Sequence, residues 1–421
     1  MFSGLSLDQA PPFEAPLRFF LTAPIFAILA AILIFFSQDF SNFYSPSSIA
    51  IIHLFTIGFM SMVMIGAIQQ MLPVLVGVRF PKPLLFSKII HLCLIIGTLL
   101  FAFSLYLFKN YLFIASTLFL ATGIGIFTVL TLYKLFIASF ASETVTGMRL
   151  SLISLFITLS LGSYLLISLS IGKVDQNFNL FLLAHIIFAI FGWTGLLIIG
   201  VSYQVIPMFY VTPQFNKNIK KYLTFAIFIF LFITTFLLFF DFKIALVLLL
   251  TLYAFFGIAT LNIYKKRKRK IADITVNFWI LSSYSLIIGT LLAIVYLFFQ
   301  FDKLLWISGV LIIYGFTISL INGMLYKIIP FLAWFHLSSR GFFDIPTTKE
   351  MIKQKDANIQ LIFHILALIS ILILIFFPFE KIASLLIIIS NSLLLRNILK
   401  ATKIYFKYKN RPSPFENMKI N

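Results

Sequence analysis

The chain has 421 residues, of which 61% are hydrophobic and 11% are charged, and its formal net charge is +19. This composition, with a mean hydropathy of +1.07, indicates an integral membrane protein and excludes a soluble domain of useful size. The single cysteine, Cys93, excludes an internal disulfide and a cysteine-rich metal site.

Apolar runs of about 20 residues recur along the chain, and a helix of about that length crosses the ~30 Å of hydrocarbon in a bilayer. They predict an all-α polytopic membrane protein, with residues 1–421 forming a single transmembrane domain of twelve spans. The opening residues 1–20 carry acids and prolines where a signal peptide would be basic, so we expect a retained cytoplasmic end. The predicted spans are 17–36, 48–76, 84–108, 110–137, 145–171, 178–209, 218–240, 242–264, 273–299, 304–335, 357–378 and 382–405.

Lysine and arginine are concentrated in every second loop, after the second, sixth, eighth and tenth spans. The positive-inside rule therefore predicts a cytoplasmic-membrane protein with both termini in the cytoplasm and the lipid bilayer as its partner. The run KKRKRK at 265–270 follows this rule and is compatible with contact to anionic lipids. No groove-reading module accompanies the charge, so we expect no nucleic-acid partner.

An internal repeat links the second, sixth and tenth spans, in the strings GAIQQMLP, GVSYQVIP and GMLYKIIP. In each copy two glycines, a polar residue and a proline follow one another at steps of eight, four and three residues. This repeat predicts three pseudo-repeats of four helices, approximately 1–140, 141–270 and 271–405, with 406–421 as a cytoplasmic tail. The repeated residues are Gly58, Gly66, Gln70 and Pro73; Gly192, Gly200, Gln204 and Pro207; and Gly315, Gly323, Lys327 and Pro330.

The second glycine, the polar residue and the proline of each copy lie within roughly 60° on an α-helix, so they form one stripe. We expect the glycines to pack closely against neighbouring helices and each proline to kink or end its helix. The polar stripe of Gln70, Gln204 and Lys327, with Tyr203 and Tyr326 one residue earlier in two copies, is expected to point into the bundle. Two roles remain open for it: hydrogen bonding between helices, or handling of protons or a ligand. Lys327 could also extend its ammonium to water at the inner boundary.

Five histidines are present, and His53 and His185 lie near the predicted outer ends of their helices. Neither has a cysteine or carboxylate nearby in the sequence, which argues against zinc. Two interpretations remain for them: axial ligation of haem iron, or a neutral imidazole bonded to a neighbouring helix. We expect His91 and His364 to be packing residues and His336 to help anchor the inner boundary.

This architecture, with histidines near the outer ends of the second and sixth helices, resembles the catalytic subunit of haem-copper oxidases and nitric oxide reductases. The strings HIIFAIFGWTGLLIIGVSYQVIPMF and PLRFFLTAPIFAIL are similar to NnrS-type haem- and copper-containing membrane proteins linked to nitrogen-oxide metabolism. The resemblance implies that His53 matches the low-spin haem ligand and that His185 lies in the helix bearing a copper ligand. The span 218–240 has no histidine, however, so the adjacent pair that completes the copper site is missing and a full three-histidine copper site is not expected. The tenth span has none within the hydrocarbon region, so the two haem ligands that the resemblance implies there are missing too.

The resulting hypothesis is an oxidase-subunit-I-like, haem-binding membrane protein without a complete binuclear centre, acting in electron transfer or nitric oxide handling. A cytochrome or a quinol is the implied electron donor, with His53 and His185 as cofactor and metal ligands. Whether the protein is an enzyme stays open, with oxidoreductase as the implied class. The alternative is a secondary transporter or channel with a polar path along helices 2, 6 and 10, although transporters more often show inverted or two-fold repeats. A structural or assembly role without a ligand is the third possibility.

Overall fold

The computed structural model describes residues 9–37, 42, 44–138, 142–240 and 242–414, apart from the side chain of Leu75. Within these residues it is all-helical, without strands, and has twelve helices long and apolar enough to cross a membrane. The protein is therefore a multi-pass membrane protein with twelve candidate spans. Spans 1 to 12 are Glu14–Phe36, Pro46–Val74, Pro83–Leu107, Asn110–Ile137, Glu143–Ser170, Phe178–Tyr210, Lys217–Leu238, Ile244–Lys265, Ile274–Phe299, Asp302–Ser338, Gln354–Leu374 and Glu380–Lys409.

The observed spans agree with the predicted ones to within a few residues, and the largest differences lie toward the C-terminus. Span 12 continues to Lys409, so the start of the expected tail 406–421 is helical. A one-turn helix, Thr348–Met351, lies between spans 10 and 11, where the Glu350 carboxylate accepts a hydrogen bond from the Thr347 backbone nitrogen at 2.7 Å. Residues 1–8 of the expected cytoplasmic end and 415–421 of the tail lie outside the described part of the chain.

Spans 2, 6 and 10 each change from α-helix to π-helix for eight residues and then return to α-helix. The three π-helical segments are Leu54–Ser61, Phe188–Gly195 and Leu311–Ile318. The first glycine of the repeat is the fifth residue of each segment, so the unusual backbone recurs in register with the sequence repeat. Because π-helical turns are rare and often occur at functional sites, their recurrence draws attention to these three spans.

The repeated glycines lie where two helices approach closely. A Cβ added to any of the six would lie 2.5–2.8 Å from an atom of the span just before, which is too close for an unperturbed structure. In each copy, the atoms that the two added Cβ atoms would approach belong to two residues of the preceding span, seven positions apart in spans 1, 5 and 9. For the first and second glycine of each copy, these neighbours are Phe26 and Phe19, Ser154 and Gly147, and Ser285 and Phe278.

None of the three repeated prolines ends its helix. The helix runs on to Val76 after Pro73, to Tyr210 after Pro207 and to Ser338 after Pro330. Of the two effects expected of each proline, a kink or an end of the helix, the structure excludes the end and leaves the kink. A proline removes one backbone donor, a cost that a helix buried among other helices tolerates.

Spans 2, 6 and 10 are also the most buried. Within their most apolar stretches 72%, 67% and 72% of the residues are buried, compared with 28–50% in the other nine spans. Polar side chains on these three spans therefore face protein more often than lipid, which is where polar groups are tolerated in a membrane.

The chain divides into two compact units. The first unit comprises Met1–Pro11, Ile68–Ile271 and Ser283–Thr317, and the second comprises Pro12–Ala67, Ala272–Ser282 and Ile318–Asn421. His185, Gln204 and Tyr203 belong to the first unit, whereas His53 and Lys327 belong to the second. The side-chain hydrogen bonds described below for His53, His185, Tyr203 and Lys327 each lie within one unit.

Candidate functional sites of the two units

His53, in the second unit, is the last α-helical residue before the π-helical segment of span 2. Its Nδ1 lies 2.8 Å from the carbonyl oxygen of Ile49, one turn earlier in the same helix. A carbonyl oxygen can only accept a hydrogen bond, so in the neutral imidazole Nδ1 carries the proton and Nε2 carries the lone pair. The backbone thereby sets both the tautomer and the ring orientation of this partly buried histidine.

His185, in the first unit, lies three residues before the π-helical segment of span 6 and is oriented by a different helix. Its Nδ1 lies 3.0 Å from the carbonyl oxygen of Thr158 in span 5. A Cβ on Gly162, one turn further along span 5, would lie 2.9 Å from the His185 Cε1 atom. Gly162 therefore leaves the space that the imidazole occupies, and Thr158 fixes the same Nδ1–H tautomer as in His53.

The glutamines of the repeated stripe lie in the first unit. Gln70 is buried, and its side-chain oxygen has no hydrogen-bond partner among the described residues, nor does the side-chain nitrogen of the adjacent Gln69. Gln204 is only partly buried. Tyr203 is buried and donates a hydrogen bond of 3.3 Å to the carbonyl oxygen of Ile219 in span 7. Tyr203 therefore connects the stripe with a neighbouring helix. The Gln70 oxygen has no hydrogen-bond donor in the described part of the chain.

Lys327, in the second unit, is paired. Its Nζ donates to Asp273 Oδ2 at 2.7 Å, and both side chains are 24% exposed. The other oxygen of Asp273 accepts hydrogen bonds from the backbone nitrogen and the hydroxyl of Thr275, at 3.0 and 2.7 Å, and so caps the start of span 9. Burial by itself would raise the pKa of Asp273, but Lys327 and the Thr275 donors outweigh it, so this pKa is lowered from its ordinary value.

His364 is fully buried in the middle of span 11 and contacts two polar side chains of span 10. Ser319 Oγ lies 2.8 Å from its Nε2, and Asn322 Nδ2 lies 3.3 Å from its Nδ1. The ring also lies near Phe278, with centroids 6.0 Å apart. His364 is therefore a buried, hydrogen-bonded residue, as a packing role requires, and it also belongs to a polar cluster that sequence reasoning missed.

Two further groups of hydrogen-bonded polar side chains lie on spans 10, 11 and 12 of the second unit. Gln360 donates to the hydroxyl of Ser390 at 3.1 Å. Asn397 donates to the hydroxyl of Tyr326 at 3.1 Å and to the carbonyl oxygen of Asp356 at 3.2 Å. Tyr326 therefore contacts span 12 through its hydroxyl. Spacing was the signal that could have found these residues, because Asp356, Gln360 and His364 follow one another at steps of four.

The other two histidines are both partly buried. His336 lies near the end of span 10, where its ring stacks on Phe13 at a centroid distance of 6.0 Å. His91 in span 3 is partly buried. Arg340, just after span 10, donates to the carbonyl oxygens of Lys409 and Arg411 at 2.6 and 3.1 Å, which ties the end of span 12 to this boundary.

The resemblance implies two metal groups, a haem and a copper centre, and the histidines suit only the haem. Among the described residues, no group of three or more His, Cys, Asp or Glu side chains comes together to hold a metal ion. A haem iron needs only one or two axial ligands from the protein, and an imidazole held through Nδ1 by a carbonyl presents Nε2 for that purpose. His53 and His185 fit axial ligation by this criterion, whereas a three-histidine copper centre finds no such arrangement in the described residues.

No known protein-family model matches this sequence, and no curated protein matches it with significant similarity. The function proposed below therefore rests on the residues and contacts of this chain alone.

Proposed function

We propose that the protein is a multi-pass membrane haem protein, in which His185 of the first unit and His53 of the second unit each serve as an axial ligand to haem iron. One observation carries this proposal: both histidines have Nδ1 hydrogen-bonded to a backbone carbonyl, at 2.8 and 3.0 Å. A metal-ligating histidine characteristically uses its other ring nitrogen in this way, which fixes its orientation and makes the ligating nitrogen more basic. The haem, when bound, supplies a redox-active iron for electron transfer or for binding nitric oxide.

The residues around the two histidines prepare them for ligation. Thr158 holds the His185 ring from span 5, and Gly162 accommodates that ring without a steric conflict. Ile49 holds the His53 ring from within its own helix. Because the rings are oriented before the cofactor arrives, less conformational entropy is lost on binding.

The proposal includes an oxidase-subunit-I-like arrangement of three pseudo-repeats of four helices. Its support is the π-helical segment found at the same position of the motif in spans 2, 6 and 10. The glycines of each copy also meet residues seven apart on the preceding span. Both regularities concern backbone geometry, so they extend the similarity among the copies beyond the four repeated residues.

Reduction of dioxygen at a haem-copper binuclear centre is not part of the proposal. The span Lys217–Leu238 contains no histidine, so the adjacent pair that would complete a copper site is missing. The protein instead carries electrons or handles nitric oxide, with a cytochrome or a quinol as the donor, in the cytoplasmic membrane.

An absorption spectrum tests the proposal. The purified protein, produced by cells with an ample haem supply, should show a Soret band that shifts on reduction with dithionite. His53→Ala and His185→Ala should each remove or shift that band because an axial ligand is lost. Gly162→Ala should shift it more weakly by displacing the His185 ring.

The matched control is His91→Ala, which removes a partly buried histidine outside the proposed ligand set. It should leave the spectrum unchanged. A colourless protein, or equal spectral changes in all the histidine variants, would show that haem ligation by His53 and His185 is wrong.

A second candidate function is a secondary transporter or channel with a polar path along spans 2, 6 and 10. The observation that favours it is the partly buried Lys327–Asp273 ion pair, which places a positive charge within span 10 beside a negative charge at the start of span 9. A protein that is colourless at full yield, and whose transport activity depends on Lys327, would favour this function over haem binding.

A further inference from the structure

Three hydrogen-bonded groups of polar side chains follow one another along three helices of the second unit, and we name them together the polar seam. Its members recur at spacings of three, four or seven residues, so those on each helix share one face. The set runs from the partly exposed Asp356, near the start of span 11, to the buried His364 in the middle of that span. The polar seam consists of Ser319, Asn322 and Tyr326 of span 10, Asp356, Gln360 and His364 of span 11, and Ser390 and Asn397 of span 12.

At the Asp356 end, the seam begins with an ion pair that reaches solvent. Lys400 Nζ donates to Asp356 Oδ2 at 2.5 Å, and the two side chains are 36% and 22% exposed. The positive charges of Arg396 and Lys353 also act on Asp356. Acidic and basic groups at such a boundary exchange protons readily with water.

Between its two ends the seam presents buried oxygens that no group of the described residues satisfies. The side-chain oxygens of Asn322, Gln360 and Asn397 have no hydrogen-bond partner in this part of the chain. The three side chains are 1%, 0% and 1% exposed. An unsatisfied buried acceptor costs about 1–3 kcal/mol, and water is the small donor that relieves this cost in a polar site.

At its buried end the seam reaches His364, whose imidazole can accept a proton at one nitrogen and release one from the other. His364 Nδ1 accepts a hydrogen bond from Asn322, so Nε2 carries the hydrogen and donates to Ser319. A proton taken up at Nδ1 is balanced by one released from Nε2 to Ser319. Ser319 is the first residue after the π-helical segment of span 10.

We propose that the polar seam is a hydrated proton-access path from the Asp356 boundary to His364. Protons move along it by exchange between bound water and the amide and hydroxyl groups of the seam, without any redox step. Chains of polar and ionisable groups within a membrane protein commonly serve this purpose, since they are costly to retain otherwise. The proposal is independent of haem binding, because none of its residues is a proposed ligand.

The reactivity of introduced cysteines with a water-soluble reagent tests whether the seam contains water. In a Cys93→Ser background, Gln360→Cys should react with a small water-soluble methanethiosulfonate at least tenfold faster than Leu361→Cys. Leu361 is the matched control, since it is a buried residue next to Gln360 on a different face of the same helix. Equal rates at the two positions, or a folded Gln360→Cys variant whose new thiol does not react, would overturn the proposal.

Proton exchange at His364 is measured by water-edited nitrogen NMR of histidine-labelled protein in liposomes, with His364→Gln identifying its signals. The His364 signals should gain intensity from water, and Gln360→Leu should reduce that transfer several-fold. If Gln360→Leu does not fold, Ser390→Ala removes the partner of Gln360 with a smaller change in volume. Absence of transfer in the wild type, or a rate unchanged in the folded variant, would contradict the path. A Soret band, if present, should be unaffected by these substitutions, so the two proposals fail separately.

Discussion

Lys327 is the only basic residue on the repeated stripe, and its charge is compensated by Asp273, which lies 54 positions earlier in the sequence. Its equivalents, Gln70 and Gln204, are neutral. An aspartate that caps a helix and accepts an ammonium hydrogen bond stabilises the start of span 9 and joins it to the C-terminal half of span 10. The pair accounts for a lysine near the boundary of a membrane helix without requiring its ammonium to reach cytoplasmic water.

The Lys327–Asp273 pair predicts a pH-dependent stability. Because the pKa of Asp273 is lowered, the pair contributes stability above the ordinary carboxyl value of 3.8 and loses it as pH falls through the lower folded value. Asp273→Asn should cost about 1–2 kcal/mol at pH 7, between the values for exposed and buried pairs, and this cost should decrease as pH falls below 3.8. Thermal unfolding of both proteins in detergent at several pH values measures the difference.

The double variant Asp273→Asn with Lys327→Gln is the control for this prediction. It should be less destabilised than the sum of the two single variants, because neither partner is then left alone. A wild-type advantage over Asp273→Asn that does not change between pH 7 and pH 3 would contradict the assigned ion pair.

At the scale of helices, the repeated glycines contact different kinds of neighbours in different copies: side chains in the first copy, and backbone at Gly200 in the second. A Cβ on Gly58 or Gly66 would meet the side chains of Phe26 and Phe19, which could turn aside at some cost. A Cβ on Gly200 would lie 2.8 Å from the Cα of Gly147, and backbone cannot move aside in this way. Spans 5 and 6 therefore approach each other more closely than a side chain on either residue allows.

Gly200→Ala should therefore destabilise the protein by about 1–3 kcal/mol through overpacking, although alanine favours helix more than glycine does. The matched control is Gly309→Ala, because a Cβ on Gly309 meets nothing within 4 Å. That variant should be neutral or slightly stabilising. The measurement is the thermal unfolding of purified protein, and equal stability of the two variants would rule out the close approach of spans 5 and 6.

At the scale of the whole chain, the alternation of basic and weakly charged loops predicts the orientation in the membrane. Lys268 and Lys173 are both exposed and lie in loops of opposite predicted side. In a Cys93→Ser background, a membrane-impermeant maleimide on intact cells should label Lys173→Cys and should label Lys268→Cys only after the cells are opened. Labelling in the reverse order would place both termini outside the cytoplasm.

The number and placement of the twelve candidate spans could be predicted from the sequence, since hydrophobic length is a local property of about 20 residues. The four-residue repeat was also visible, because its spacing is the same in the three copies within this one chain. The π-helical segments were not anticipated, since an apolar helical segment carries no local signal that distinguishes π from α turns. The predicted spans 48–76, 178–209 and 304–335 extend past their prolines, and the structure confirms that the three helices continue there.

The sequence by itself determined that this is a membrane protein of twelve apolar helices and identified His53, His185 and Lys327 as residues that need an explanation. Only the tertiary structure decided their partners. Asp273 lies 54 positions from Lys327, Ser319 lies 45 from His364, and Tyr326 lies 71 from Asn397. The physical reason is that local hydrophobicity places a segment in the bilayer, whereas a buried polar group is satisfied by whichever helix packs against it, and that choice depends on the whole fold.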